Sequence, residues 1–109
     1  MSNSEAIIQC VIIYPHPDKW VKVKTLMNEI AESVKTGEPD TLIYAVHENV
    51  TNPEAPMLLV WEKYGNREAQ AAHRQNPKLA ELVRQNESEG LIARPFEIIP
   101  LVPLFGKIP

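Results

Sequence analysis

Val60–His73 reads VWEKYGNREAQAAH, and its structural period changes half-way along. Its first residues continue the run Met57-Leu58-Leu59, which is apolar on both parities. That is the pattern of a short strand covered on both faces. Gly65-Asn66 breaks the run, and Asn66 stands where a helix N-cap belongs. Arg67–His73 (REAQAAH) is then made of strong helix formers. A strand over Met57–Tyr64 that turns directly into a short helix over Arg67–His73 is the centre of the expected fold.

Upstream, Thr41–Glu48 (TLIYAVHE) is strand-like, and the turn-rich NVTNPEAP is short enough to make the two strands a hairpin. Before it, Trp20, Val23, Met27, Ile30 and Val34 recur at three- and four-residue spacing, with Lys24, Asn28, Glu32 and Lys35 on the other side. This predicts an amphipathic helix over Lys19–Thr36, capped by Asp18 and stopped by Gly37 and Pro39. Ala6–Tyr14 (AIIQCVIIY) is another strand apolar on both parities, ended by Pro15. Downstream, Asn76-Pro77 interrupts the short helix, and Pro77 opens a new one running from Lys78 to about Ser88, ended by Gly90. Leu79, Leu82 and Val83 give it a narrow apolar face. A last strand is expected around Pro95–Leu101, followed by an apolar tail over residues 104–109.

The order is β-α-β-β-α-β, with the second helix broken. It predicts an α+β, ferredoxin-like domain over residues 1–109, with a core from about 6 to 103. The four-stranded sheet should be antiparallel, with the helices on one face. The other face is then unaccounted for, because strands with one solvated face should alternate apolar and polar residues. A second copy of the sheet is the simplest cover. Two such sheets face to face make a homodimeric α/β barrel with a cavity between sheet and helices. The apolar tail fits across the partner.

Composition narrows the function. The 109 residues suit one domain. The 11 basic and 14 acidic residues give a net charge of −3, without the basic stripe that nucleic acid or an anionic membrane would require. A single cysteine, Cys10, allows no internal disulfide and reads as a small buried hydrophobe. No signal peptide or membrane-length apolar run is visible, so the expected location is the cytoplasm. The four separated glycines make no phosphate loop, and no Cys, His or carboxylate cluster has metal-ligand spacing. No cofactor and no metal are expected.

The run VWEKYGNREAQAAHRQNPKLAELV resembles the antibiotic biosynthesis monooxygenase (ABM) family. The pattern is a strand ending in Glu-x-Tyr, a polar turn, a helix with Ala then His, and a further helix opened by Pro. Glu62, Tyr64, Ala69 or Ala72, His73 and Pro77 match it. Upstream, TGEPDTLIYAV matches through Glu38 and Tyr44, with Asp40 where the family usually has glycine. The resemblance spans roughly residues 6 to 100. It implies a dimeric α/β barrel with a small-molecule cavity in each subunit. It also implies oxidation of polycyclic phenolic or anthrone-like substrates by O2, without metal or flavin. Other relatives isomerise or cyclise polyketides, degrade haem, or have no known activity. The helix-borne Trp followed by a His about ten residues later, carried by the haem-degrading relatives, is missing here.

Such an oxygenase needs an apolar cavity, a base to ionise the substrate, and donors for the resulting oxyanion. His73 is the candidate base and Tyr44 the candidate donor, these two being the expected catalytic residues. Trp61, Tyr64 and Phe96 are expected to bind the aromatic substrate as walls. Glu62 has opposite parity to Trp61 and reads as structural, paired with Arg94 or a helix terminus. His47 faces away from Tyr44, His16 lies in a loop, and Trp20 belongs to the core. Two other readings stay open: a non-oxidative lyase, isomerase or cyclase using the same cavity, and a non-catalytic dimer that binds a small ligand.

Overall fold

A computed structural model describes residues 5–107. Strand β1 (Ile7–Pro15) leads through a 3₁₀ turn (Pro17–Lys19) into helix α1 (Trp20–Gly37). Strands β2 (Thr41–Glu48) and β3 (Leu58–Tyr64) follow, then helices α2 (Arg67–Arg74) and α3 (Pro77–Glu89), and last β4 (Ile92–Leu101). The sheet order is β2-β3-β1-β4, and every pairing is antiparallel. This is the ferredoxin-like α+β arrangement that the element order predicts.

The core lies between the sheet and the helices. Val11 and Ile13 of β1, with Leu58 and Val60 of β3, meet the α1 stripe of Val23, Met27, Ile30 and Val34. Leu82 of α3 closes the layer. Trp20 packs against this core from the end of the stripe, with the Lys24 ammonium 4.7 Å from its ring centroid. Asn66 caps α2 by accepting from the Ala69 N–H at 2.8 Å, as its position predicts.

Three local expectations are corrected. Asp18 caps nothing: Pro17 opens a 3₁₀ turn, and α1 starts only at Trp20, behind Lys19. Gly37 is the last residue inside α1, and Glu38 is the C-cap, its N–H bonded to the Val34 carbonyl at 3.0 Å. The left-handed glycine cap is Gly90 after α3, at φ 68°. The last strand begins at Ile92 rather than near Pro95, because Ile92 and Arg94 already pair with Pro15 and Tyr14. Pro95, which has no N–H to give, sits at the register slip between Arg94 and Glu97.

The register fixes the two faces of the sheet. Gln9, Val11 and Ile13 share the helix face with Leu58, Val60, Glu62 and Tyr64, and with Tyr44 and Val46. Cys10, Ile12, Leu59, Trp61, Ile43, Ala45 and Ile99 share the other. The molecule measures 43 × 31 × 21 Å, and its thinnest dimension matches one sheet and one helix layer, about 10 Å each. The second face therefore has an apolar centre, with Lys63, His47, Glu97 and Arg94 also on it, and no covering layer among the described residues.

Candidate active site

One row of side chains crosses the helix face of the sheet. Tyr44 on β2 is paired with Glu62 on β3, and Glu62 with Gln9 on β1. The next row is wholly apolar: Val46, Val60, Val11 and Ile98. A cavity of about 120 Å³ spans both rows, roofed by His73 and Gln70 of α2 and by Leu79 and Leu82 of α3. It has a polar end, at Gln9, Glu62 and Tyr44, and an apolar body.

Glu62 is 3% exposed. Its Oε1 accepts from the Gln9 amide at 2.8 Å and from the Tyr64 hydroxyl. The Gln70 amide in turn donates to Gln9 Oε1 at 3.0 Å, which ties α2 to the sheet. Glu62 is thus paired, as an inward carboxylate must be, but with Gln9 and Tyr64 in place of Arg94 or a helix terminus. Arg94 lies on the opposite face, its guanidinium 3.6 Å from the Tyr14 ring centroid, while the Tyr14 hydroxyl donates to Glu97.

His73 is also buried, at 6% exposed. Its Nδ1 is 3.0 and 3.2 Å from the two oxygens of Glu38. Glu38 accepts further from the Thr41 hydroxyl at 2.9 Å and from the Asn76 amide at 2.6 Å. A carboxylate at the C-terminus of α1 meets the negative end of the helix dipole, and these donors offset that. The bond to Glu38 assigns the proton to Nδ1, which leaves the Nε2 lone pair for chemistry. The rings of Tyr44 and Tyr64 hold the imidazole plane, with centroids 5.0 and 5.7 Å from it.

Three polar atoms at this end have no hydrogen-bond partner among the described residues: His73 Nε2, Glu62 Oε2 and the Tyr44 hydroxyl. Yet no buried side-chain nitrogen or oxygen lacks a partner there. Each of the three therefore keeps open surface, and the space their residues line is the cavity. Burial pushes the Tyr44 hydroxyl far above the ordinary phenol range, with Glu62 and Glu38 adding to the effect. Burial does the same for Tyr64, followed by its hydrogen bond to Glu62. Both tyrosines stay protonated and act as donors, never as bases.

The structure thus brings His73, Tyr44, Tyr64 and Phe96 to one cavity. It does not bring Trp61. Trp61 pairs with Cys10 and Ala45 on the opposite face, so its place as a substrate wall is corrected. Glu62, expected to be structural, opens onto the cavity, and Glu38 proves to be the partner of His73. Among the described residues, no three His, Cys, Asp or Glu side chains form a group able to hold a metal ion. No helix there is long and apolar enough to cross a membrane.

No family model matches the sequence, and no curated protein matches it. Solved structures do. Rv0793 from Mycobacterium tuberculosis superposes with a TM-score of 0.78 at 22% identity, over 94% of this chain and 98% of that one. A protein from Caulobacter crescentus CB15, described as a proposed antibiotic biosynthesis monooxygenase, gives 0.77 at 19% identity, over 94% and 93% of the chains. The chain has the fold of these proteins. PA3566 from Pseudomonas aeruginosa gives 0.80 at 16% identity, over 96% and 100%. At such identities the ABM-like likeness is one of fold, and the chemistry has to be argued from the cavity.

Proposed function

We propose that this chain is an ABM-type, cofactor-independent monooxygenase acting on a small aromatic or polyketide-like compound. The observation that carries the reading is the Glu38–His73 pair, whose Nε2 opens into an apolar cavity beside protonated Tyr44. Nε2 takes the hydroxyl proton of a phenol, and the Tyr44 hydroxyl donates to the oxygen left negative. The ring carbanion that shares this charge forms a C–O bond with O2. The hydroperoxide then loses water, leaving a carbonyl at that carbon. Overall a CH2 tautomer and O2 give C=O and H2O, and the substrate supplies all the electrons. The buried Val11, Val60 and Leu82 surround the reaction and keep water away from the anion. The names carried by fold relatives, such as the Caulobacter protein, agree with this reading. Oxygen-electrode assays with metal-free protein and a panel of phenols, naphthols and anthrone test it. Uptake that depends on both protein and substrate supports it, and no uptake across the panel removes it. Turnover of the same compounds without oxygen would favour an isomerase or cyclase.

We further propose that the chain works as a homodimer, joined through the uncovered sheet face. Trp61, Ile12 and Leu59 are half-buried there within one chain, and Ile99 is 41% exposed. Beyond β4, Val102, Leu104 and Phe105 are 80%, 78% and 93% exposed, which suits a tail that lies on a partner. Light scattering should give twice the 12.3 kDa of one chain. Trp61→Asp, which buries a charge in that interface, should shift the mass to that of one chain. An unchanged mass for the variant would place the interface elsewhere.

A further inference from the structure

The polar end of the cavity offers two open acceptors, and that restricts what enters. We infer that the ligand is an uncharged, single-ring compound with two hydroxyl groups, one donating to Glu62 Oε2 and the other to His73 Nε2, and that Glu62 sets this selectivity. The inference rests on reading the cavity as the active site, and it adds size, charge and hydroxyl count to that reading.

Charge comes first. Both hydrogen bonds received by Glu62 end on Oε1, so Oε2 faces the cavity as an acceptor. Glu38, a second carboxylate, stands directly behind His73. The one cationic side chain among the lining residues is Arg74, on the exposed rim of α2. A carboxylate ligand would bring a third negative charge into this apolar space with no buried cation to meet it. A hydroxyl group instead supplies the hydrogen that Oε2 lacks. The second hydroxyl gives its hydrogen to Nε2, the transfer with which the proposed reaction begins.

Size comes next. An apolar cavity of roughly 150 Å³ holds one benzene ring. The 120 Å³ here is therefore at most single-ring space, floored by Val11 and Val60, walled by Phe96 and roofed by Leu82. The polycycles implied by the family resemblance do not fit inside it. Their further rings would project through the mouth, where Ile98 is 61% exposed.

The test is a titration of ¹⁵N-labelled wild-type chain in oxygen-free buffer, followed by NMR. The probes are the three benzenediols, phenol, benzoate and anthrone. At least one benzenediol should bind at least about tenfold more tightly than phenol and benzoate, and anthrone no more tightly than phenol. Glu62→Gln is the decisive variant. Its Oε1 keeps both existing hydrogen bonds, while an NH2 replaces Oε2, so the acceptor becomes a donor. It should weaken that benzenediol about tenfold and strengthen benzoate. The inference is overturned if benzoate or anthrone matches the best benzenediol, if no benzenediol binds, or if folded Glu62→Gln keeps the wild-type ranking. Should Glu62→Gln fail to fold, the wild-type ranking decides alone. Binding without oxygen uptake under air would sink the oxygenase reading and leave this one standing.

Discussion

Under the proposed mechanism, His73→Ala should lower turnover of a phenolic substrate by about 10²- to 10⁴-fold, the usual worth of a positioned general base. Its measure is the initial rate of oxygen uptake by wild type and variant at saturating substrate. Deleting a buried ring also opens space beneath α2, so alanine alone would confound chemistry with packing. His73→Asn separates the two. Its amide nitrogen can stand where Nδ1 stands and donate to Glu38, but it has no basic nitrogen at the Nε2 position. It should lose as much activity as alanine and keep a native circular dichroism spectrum. Free imidazole should restore part of the rate to His73→Ala, because the vacated space matches its shape and the missing function is a base. Glu38→Gln should also cost activity, by up to about 10⁴-fold, because it lets the imidazole take the wrong tautomer without removing it. Retained activity in His73→Asn would assign the proton transfer to another group, with Glu62 the next candidate.

The outline of the fold was legible in the sequence because its elements obey simple periods. The α1 stripe from Trp20 to Val34 and the strands on either side of it came out within a few residues. The misplaced ends have local causes. Asp18 lost its capping role to a proline-opened 3₁₀ turn, and β4 starts early because its pairing with β1 tolerates a slip at Pro95. The Glu38–His73 pair was only half visible. His73 stands out by type, whereas Glu38 lies 35 residues away and meets it only when α1 ends beside α2. Glu62 and Gln9 did carry a usable signal. Each is polar at a core-facing parity in an apolar strand, Glu62 between Val60 and Tyr64, and Gln9 two residues before Val11. A polar residue in such a position needs either a partner or a cavity, and these two have both. Trp61 misled because size was read as a wall, although the parity that separated it from Glu62 already put one of them outside the cavity.

Asn76→Ala destabilises the fold by about 2–4 kcal/mol, a large part of the roughly 5–15 kcal/mol that holds a domain together. Asn76 is 6% exposed and serves two structures at once. Its Oδ1 caps α3 by accepting from Lys78 N–H at 2.8 Å and from Leu79 N–H at 3.4 Å. Its Nδ2 donates to Glu38 at 2.6 Å and to the Ser33 hydroxyl at 3.0 Å. Alanine loses the cap, worth about 1 kcal/mol, and leaves a half-buried carboxylate short of a donor. Urea denaturation measures the loss, and a change below about 0.5 kcal/mol would mean that water replaces the side chain at both ends. Asn76→Asp tests the second role by itself. It keeps the capping oxygen but sets a carboxylate against Glu38, so the folded pair must hold a proton that the unfolded chain releases. A raised folded pKa contributes stability below the unfolded value, near pH 4, and that stability is lost as pH rises through the folded value. Asn76→Asp should therefore be more stable than Asn76→Ala at about pH 4 and should lose that advantage as pH rises. A gap between the two variants that does not move with pH would show that Glu38 takes no hydrogen bond from this position. The orientation of His73 would then rest on Thr41 and the two tyrosine rings alone.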